Sequence, residues 1–475
     1  METLFVQREK KWKEFCEKDY RIAEPAGVVS YPRGMVLPVR KEKKAGMIDY
    51  VSRGGACDEA GNFVGGWSRR QDREMNKSCL RAYEVPEGEI RTVSGTAVFG
   101  GVVDGHFGHF FSEGLSRLWW VMQHPGEYDR LVFAITTEIP GWINDLYALM
   151  EIPPEKVEYV EVPTRYDMLI VPDETMYLWS GYRTELNYVY DTIAERLPKS
   201  PYEKVYFTRT QFEKQDCLNE IYFENYFREQ GYHVAAPEKL PIAEQFALAA
   251  GAKEIACCCG TLSHFALFSK PGTRLIILNR TTDHFLIPQL VIDQLRQIDA
   301  TMIDVSRNYL PVKHNRGCFL LEPTPCWNRY LSSVGQEPAE LSEEERAKNA
   351  YLFLRCWHEN YLKKNAFSTL QDYDAGDLLD SMDRAMDGPG VDRKAYKVGE
   401  RRSAISKKLK QAEKERELYC LTADDSEDAK KRLSAAEAEM ENRRLRHELE
   451  LMQSSWKRKL KAKLAHMYCS LKDGK

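Results

Sequence analysis

The clearest pattern in the chain is a short apolar run that stops at a glycine and is followed by a second apolar run. Residues 255–259 are small and apolar, Gly260 interrupts them, and Thr261 and Ser263 lead into the apolar residues that end at 268. Such a run is typical of a buried parallel strand that turns into a helix. Unpaired backbone N–H groups and the helix dipole at such a turn favour a phosphate. An ordinary strand-to-helix joint without a ligand fits this stretch equally well.

A similar alternation of strand-like and helix-like segments fills two units of the chain. In the first unit, strands are predicted at residues 92–103, 131–135, 157–162 and 168–171, with a helix near 142–150. In the second unit, strands are predicted at 204–209, 231–234, 255–259 and 274–278, with helices at 219–230 and 242–251. This alternation predicts parallel sheets that are covered by helices on both faces and bind ligands at the carboxyl ends of their strands.

The predicted fold class is therefore α/β, with a pair of Rossmann-type domains and a C-terminal helical extension. The predicted units are an N-terminal α/β domain at 1–200, a Rossmann-like domain at 201–335, a helical region at 336–393 and an amphipathic arm at 394–475. Residues 1–90 are broken by glycines and carry no pattern that assigns a fold.

The arm at 394–475 combines an apolar stripe with an excess of basic residues. The stripe has coiled-coil spacing and consists of Leu445, Leu449, Met452 and Trp456. From Arg401 onward the arm holds 20 Lys/Arg against 13 Asp/Glu, and residues 456–467 form a basic amphipathic segment suited to an anionic membrane surface. A solvated face on an oligomerising helix is an equally good interpretation, so membrane contact and a homo-oligomer both stay open.

Composition limits the class of protein and its compartment. With 475 residues, 43% of them apolar, and a formal net charge of -4, the chain has the composition of a globular protein and no basic balance that favours nucleic acid. The N-terminal residues lack the apolar core of a signal peptide, and irregularly spaced cysteines indicate thiols in a reducing compartment. We expect a cytoplasmic protein, peripheral at the inner face of a membrane if the arm binds lipid. The chain has no CxxC pair, which gives little support to a structural zinc site.

Three ionisable residues share one face of a predicted helix. His106, His109 and Glu113 stand at positions i, i+3 and i+7. They could act as base, orienting group and acid, or hold a metal ion. Half-exposed residues in an ordinary helical turn are the alternative.

A second group could hold a diphosphate. Arg209 ends one predicted strand and Gly260-Thr261 follow another, so a guanidinium and backbone amides would lie on the same sheet edge. His264 could reach the same phosphate or a sugar. A surface ion pair for Arg209 and a core position for His264 are the alternatives.

The order of these segments resembles glycosyltransferase family 61 over roughly residues 92–305. The segments that carry the resemblance are His109 to Leu118, Val205 to Arg209, Asn219-Glu220, Gly231 to Val234, Pro237 to Leu240, Glu244-Gln245, Gly260 to His264 and Phe268 to Gly272. The resemblance implies the two-Rossmann GT-B architecture, a nucleotide sugar bound mainly by the C-terminal domain, and inverting transfer without a metal cofactor.

The resemblance also assigns roles to individual residues. His109 and Glu113 match the histidine and acidic residue of the acceptor-side helix, and Arg209 matches the strand-end arginine that faces the diphosphate. His106 and Asp104 are further acceptor-side residues that we predict from their position. The positions matched on the donor side are Glu244, Gly260, Thr261 and His264.

These features predict an inverting hexosyl- or pentosyltransferase that uses a nucleotide-sugar donor and a glycan or lipid-linked glycan acceptor in surface or capsular polysaccharide assembly. Glu113, or His109 oriented by Glu113, would be the base, and the two domains would close to exclude water. Two rival functions remain at this point. One is a metal-dependent hydrolase that uses His106, His109 and Glu113, and the other is a non-catalytic coiled-coil scaffold.

Overall fold

Two β-sheets organise the chain in the computed structural model. The structure describes residues 3–42, 51–71, 78–136, 138–212, 217–282, 285–310, 312, 317–357 and 360, all of which lie in one compact unit, Met1–Ile405. The arm predicted at 394–475 and most of the helical region predicted at 336–393 lie outside the described residues. Of that region, the structure describes the helix Glu343–Trp357.

Eighteen strands are described. They are β1 (Thr3–Phe5), β2 (Val28–Pro32), β3 (Met35–Glu42), β4 (Val51–Cys57), β5 (Phe63–Gly65), β6 (Arg91–Val103), β7 (Arg130–Ile135), β8 (Val157–Val160), β9 (Thr164–Pro172), β10 (Met176–Tyr177), β11 (Gly181–Tyr182), β12 (Lys204–Phe207), β13 (Cys217–Leu218), β14 (His233–Ala235), β15 (Glu254–Cys258), β16 (Arg274–Asn279), β17 (Asp299–Asp304) and β18 (Phe319–Leu320).

The helices lie between these strands and after them. The described α-helices are α1 (Glu9–Cys16), α2 (Phe107–His109), α3 (Leu118–Gln123), α4 (Trp142–Leu149), α5 (Leu186–Arg196), α6 (Glu220–Glu229), α7 (Ile242–Gly251), α8 (Ile287–Arg296), α9 (Pro325–Ser333) and α10 (Glu343–Trp357). A π-helical turn, Phe110–Gly114, continues α2, and 3-10 turns span Glu87–Glu89, Pro154–Lys156, Pro237–Lys239 and Ser263–Phe268. None of the described helices has the length and apolar character needed to span a bilayer.

The sheet of the second unit is wholly parallel, as the pattern predicts. Its strand order is β14-β12-β15-β16-β17-β1. In chain order within residues 204–304 this is the 2-1-3-4-5 order of flavodoxin-like sheets, whose topological switch point lies between the first and third strands. Here those strands are β12 and β15. A ligand site is therefore expected where Arg209 and Gly260 follow them.

The strand β1 joins this second sheet although it comes from the N-terminus. Thr3 pairs with Thr301, and Phe5 pairs with Ile303, in parallel register. The N-terminal residues of the unit predicted at 1–200 thus complete the sheet predicted at 201–335. A strand of three residues is too short to give a periodic signal, which explains why the pattern misses it.

The sheet of the first unit is mixed. Strands β9, β6, β7 and β8 lie parallel to one another, as expected, but β2, β3, β4 and β5 add antiparallel neighbours. The prediction of a purely parallel sheet is therefore wrong for this half. Residues 1–90 supply the antiparallel strands, and their glycines hide the alternation that would have revealed them.

One hydrophobic core runs beneath both sheets. Phe107 and Phe111 follow β6 of the first sheet and pack against Phe246 of α7 and Phe268 of the 3-10 turn, with ring centroids 6.0 Å apart for Phe111 and Phe268 and 5.8 Å apart for Phe111 and Phe246. Each fully buried aromatic side chain stabilises the fold by about 1.5–3 kcal/mol. These ring contacts help to hold the two sheets together, and the domain closure that the sequence suggested stays a prediction.

Candidate active site

The helical segment after β6 presents the predicted proton-transfer residues. Three α-helical residues pass into the π-helical turn, where Ser112 Oγ donates to the carbonyl of Gly108 at 2.6 Å. Tyr190 of α5 holds the turn in place, because its hydroxyl donates to the carbonyl of Phe111 at 2.8 Å. A π-helical turn of this kind recurs at functional sites. In this turn the side chains of His109 and Glu113, which are four residues apart in the sequence, come together.

His109 and Glu113 form a close pair in which one partner is exposed and the other is buried. Nδ1 of His109 lies 2.8 Å from Oε2 of Glu113. The side chain of His109 is 26% exposed, whereas that of Glu113 is 1% exposed. A substrate can therefore reach the imidazole and not the carboxylate. Of the two predicted bases, His109 has the accessible position, and Glu113 lies behind it.

Burial controls the protonation of Glu113. Loss of hydration raises the pKa of this carboxyl to about 7, against a smaller lowering by the nearby Arg69 guanidinium, whose Nε lies 3.8 Å from Oε2. The ionisable groups of His264, His106 and Asp104 have smaller electrostatic effects on it. Glu113 is thus close to half ionised at neutral pH.

His106 and Asp104 lie at the mouth of the same segment. His106 is exposed, its ring centroid lies 4.7 Å from that of His109, and its backbone N–H donates to Oδ1 of Asp104 at 3.2 Å. Both residues follow the carboxyl end of β6. They lie beside His109, and their acceptor-side role stays a prediction.

The two halves of the site meet at Gly108. A Cβ atom at residue 108 would lie 2.8 Å from Oγ1 of Thr261, closer than real Cβ contacts come. Glycine is therefore needed at this position, because only its bare backbone lets α2 approach the turn after β15 so closely. The helical segment that carries His109 is in direct contact with the turn predicted to bind a diphosphate.

His264 also faces this junction and is held by a chain of buried polar groups. Its Nδ1 lies 2.9 Å from Oε1 of Gln289, and Nε2 of Gln289 donates to Oδ1 of Asp293 at 2.7 Å. Because the Gln289 oxygen accepts, Nδ1 of His264 carries the proton in the neutral ring, and Nε2 remains an acceptor. Burial lowers the pKa of His264 to about 4, so the ring is neutral at pH 7.

The second sheet contributes two arginines around a glycine. Gly260 follows β15 with φ +121°, a conformation that L side chains rarely adopt, and a Cβ there would lie 3.0 Å from Nη2 of Arg280. Arg280 follows β16, and Arg209 follows β12 and stacks on Phe212 with its Cζ 4.7 Å from the ring centroid. Guanidinium groups thus follow the strands on both sides of β15.

The turn after Gly260 differs from the α-helix that the sequence suggested. Residues Ser263–Phe268 form a 3-10 turn, and the amides of Ser263 and His264 donate to the carbonyls of Gly260 and Thr261. A six-residue 3-10 turn supplies little macrodipole. Attraction of an anion to this edge must therefore come mainly from Arg209 and Arg280.

Glu244 is the one predicted donor-side residue that stands apart from this group. It occupies the first turn of α7, its side chain is exposed, and it is separated from β15 by the rest of that helix. The helix begins near the carboxyl end of β14, the neighbour of β12. The position is compatible with contact to a distal part of a ligand, and that role stays a prediction.

The match to a known protein family covers this same region of the chain. Residues 107–276 match the family model described as glycosyltransferase 61. The match spans a little over a third of the chain, from the start of α2 into β16. No curated protein matches the chain significantly.

The glycosyltransferase 61 region contains most of the predicted site. The match supports a glycosyltransferase, a class of enzyme that uses a sugar donor and an acceptor. The predicted site residues inside the matched region are His109, Glu113, Arg209, Glu244, Gly260, Thr261 and His264. Asp104 and His106 precede it.

Sequence reasoning missed other groups that surround the glycosyltransferase site. Arg69 lies in the part of the chain that carries no readable pattern, and Gln289 sits on an amphipathic helix with no motif. Arg280 could have been found, because it lies two residues after a predicted buried strand, close to where Arg209 ends another.

A metal-dependent hydrolase gains no support from the geometry of this site. Within the described chain, Cys217, Glu220 and Cys258 are the only set of three His, Cys, Asp or Glu residues whose ligand atoms lie within 4.8 Å of one another. His106, His109 and Glu113 do not form such a set.

Proposed function

We propose that this protein is an inverting glycosyltransferase that moves a sugar from a nucleotide-sugar donor to a hydroxyl group of a glycan or lipid-linked glycan. The family supplies the reaction class, and the contact between Gly108 and Thr261 carries the proposal for this chain. That contact brings an accessible imidazole on one sheet against an arginine-flanked turn on the other. Inverting transfer needs a proton acceptor and a site for the leaving diphosphate on opposite sides of one anomeric carbon.

In this mechanism the second sheet binds the donor. The diphosphate would lie at the switch point between β12 and β15, where Gly260 leaves backbone room for it. Arg209 and Arg280 would neutralise the negative charge that develops on the departing nucleoside diphosphate. His264, neutral and with Nε2 as an acceptor, would receive a hydrogen bond from a donor hydroxyl.

The first sheet would handle the proton. As the acceptor hydroxyl attacks the anomeric carbon, its proton would pass to His109, whose other nitrogen faces Glu113. The Glu113 carboxylate would stabilise the resulting imidazolium and keep the ring oriented, as a positioning residue. No metal cofactor enters this mechanism, in keeping with the expectation from the resemblance.

We also propose that the protein works in the cytoplasm, with the basic segment 456–467 at an anionic membrane surface where lipid-linked acceptors for surface or capsular polysaccharide are built. The excess of Lys and Arg in the arm supports this placement. Co-sedimentation with phosphatidylglycerol vesicles at low and high salt tests it, since salt weakens lipid contact and leaves apolar oligomerisation in place.

The experiment that tests the function is a thermal-shift screen against nucleoside diphosphates and nucleotide sugars, followed by a transfer assay with the sugars that bind. We expect one nucleotide to raise Tm, and Arg209→Ala to remove that rise. Arg274→Ala is the matched control, because this arginine lies at the opposite, amino end of β16 in the same sheet. Absence of any nucleotide-dependent shift in the wild type, or an equal loss in the control, would contradict the proposal.

A further inference from the structure

A second cluster of reactive side chains lies beside Arg209 and Arg280, on the sheet proposed to bind the donor. It takes no part in the proposed transfer. Cys217 lies in β13, Glu220 begins α6 and Cys258 ends β15. Their two sulfur atoms and a carboxylate oxygen lie within 4.8 Å of one another. Strand alternation sets this arrangement, because Cys257 and Cys259 pack into the hydrophobic core on the other face and leave Cys258 alone to meet Cys217.

The carboxylate in this cluster is only partly satisfied. Glu220 is 1% exposed, and its Oε1 accepts from the hydroxyl of Tyr206 at 3.2 Å and from the backbone N–H of Arg209 at 3.0 Å. Its Oε2 is buried and has no hydrogen-bond partner among the described residues. An unmet buried polar atom costs about 1–3 kcal/mol, more when it is charged. A cation or a proton bound at Oε2 of Glu220 would remove this cost.

We propose that Cys217, Glu220 and Cys258 bind one Zn²⁺ ion. Two thiolates and a carboxylate form a donor set that zinc prefers, and Zn–S and Zn–O bonds of about 2.3 and 2.0–2.2 Å would draw the three groups slightly closer together. Water would complete a tetrahedron. Binding would release the thiol protons and satisfy the remaining oxygen of Glu220.

The surrounding charges suit such a complex. Zn²⁺ with two thiolates and one carboxylate carries a net charge of −1. Arg280 lies beside it, since its Nη1 donates to Sγ of Cys217 at 3.7 Å, so the guanidinium balances the complex and makes the N–H···S contact typical of a second coordination layer. The guanidinium of Arg280 cannot contact Oε2 of Glu220 and both sulfur atoms at the same time, whereas one zinc ion can bind all three.

The ion would have a structural role in the wall that carries Arg209. Because Glu220 accepts the backbone N–H of Arg209, a metal bond to Glu220 would fix the main chain where the strand β12 ends. Cys258 likewise ends β15, two residues before Gly260. The site would therefore tie together the two strands at the topological switch point. It does not depend on which reaction the protein catalyses.

The test measures metal in the full-length protein, purified without a chelator and without a metal-affinity tag. Elemental analysis should find about one zinc per chain, and Co²⁺ exchanged into the protein should show thiolate-to-cobalt charge transfer and the visible bands of a tetrahedral ion. Removal of zinc by a strong chelator should lower Tm, and added Zn²⁺ alone should restore it.

Variants assign the ion to this cluster. We expect Cys217→Ser, whose side chain is only half buried, and Glu220→Gln to bring the zinc content close to zero. Cys326→Ser is the matched control, because that thiol also contacts an arginine, Arg329, yet lies outside the cluster. The control should keep its zinc and its cobalt spectrum.

Three results would overturn the proposal. The first is wild-type protein without stoichiometric zinc whose Tm does not respond to added Zn²⁺. The second is zinc that Cys217→Ser retains in full. The third is a Cys217–Cys258 disulfide, found by mass spectrometry of the protein purified under reducing conditions.

Discussion

The two walls of the candidate site hold opposite kinds of chemistry. The wall on the first sheet contains the buried carboxyl of Glu113 and the accessible imidazole of His109. A second buried carboxyl, Glu174, follows β9 and lies 3.8 Å from Nη2 of Arg117, and burial raises the pKa of both carboxyls to about 7. The wall on the second sheet contains the guanidinium groups of Arg209 and Arg280 beside a glycine turn. The first wall therefore carries groups that can exchange a proton, and the second carries groups that can hold an anion.

Both walls nevertheless arise from the same structural rule. The first follows β6, which lies between β7 and β9, and the second follows β15, which lies between β12 and β16. In each sheet the functional residues come after the carboxyl end of a parallel strand close to a switch in strand order. The order of the strands therefore determines at which edge of each sheet these residues lie, while their burial and side-chain type determine which chemistry they can perform.

The largest expected effect comes from the exposed member of the first wall. His109→Ala removes the proton acceptor, so we expect kcat to fall by about 10²–10⁴-fold. The dissociation constant of the donor should change less than twofold, because the second wall remains intact. Steady-state kinetics and calorimetry measure the two quantities. His124→Ala, a histidine stacked on Trp120 away from the site, should leave both unchanged. If the variant lost donor binding and turnover together, the assignment of separate functions to the two walls would be wrong.

Glu113→Gln should have a smaller effect of a different form. Loss of a charged partner for the imidazolium, about 1.5–3 kcal/mol, corresponds to a decrease in kcat of roughly 10–100-fold. In the wild type, kcat/KM should fall as the pH drops below about 7, because Glu113 becomes protonated. In the variant this limb should change position, because only the base His109 then has to be unprotonated. An unchanged pH–rate profile would remove Glu113 from the mechanism.

Arg280→Ala should act on the second wall alone. We expect donor affinity to fall about tenfold, from the loss of one charge-assisted hydrogen bond, with kcat much less affected. Titration with the nucleoside diphosphate measures this loss, again with Arg274→Ala as the control. If kcat fell and affinity did not, Arg280 would belong to the proton-transfer side and the division between the walls would fail.

The smallest effect is on stability. A buried carboxyl with a raised pKa stabilises the fold fully at pH values below its unfolded pKa, near 4.5, and loses that contribution as the pH rises through about 7. Wild-type Tm should therefore be a few degrees higher at pH 6 than at pH 8.5. Glu113→Gln combined with Glu174→Gln should flatten this dependence. A wild-type Tm that rises with pH over this interval would contradict the burial of charge in the first wall.

The strands and helices of the second sheet could be predicted because each follows a strong local pattern. The helix α7 coincides with its predicted bounds, Ile242 to Gly251, and β15 lies within the apolar run that ends at Gly260. Parallel buried strands are continuous apolar runs, so their positions show in the sequence. The pairing of His109 with Glu113 also follows from helical spacing alone.

The remaining features depend on contacts between distant parts of the chain. The surroundings of the buried Glu113 include Arg69 and His264, which act on its charge, and neither is near it in sequence. The antiparallel half of the first sheet comes from short strands that glycines interrupt. The cluster of Cys217 and Cys258 forms only when β13 is brought against β15, so the absence of a CxxC motif gave no warning of it.

The most direct test of the account is a crystal structure of the protein with a bound nucleoside diphosphate. The account predicts the diphosphate at the Gly260-Thr261 turn, within hydrogen-bond distance of Arg209 or Arg280, and the ring of His109 facing it across the contact at Gly108. A nucleotide bound elsewhere, or a diphosphate from which His109 is screened by protein, would contradict it.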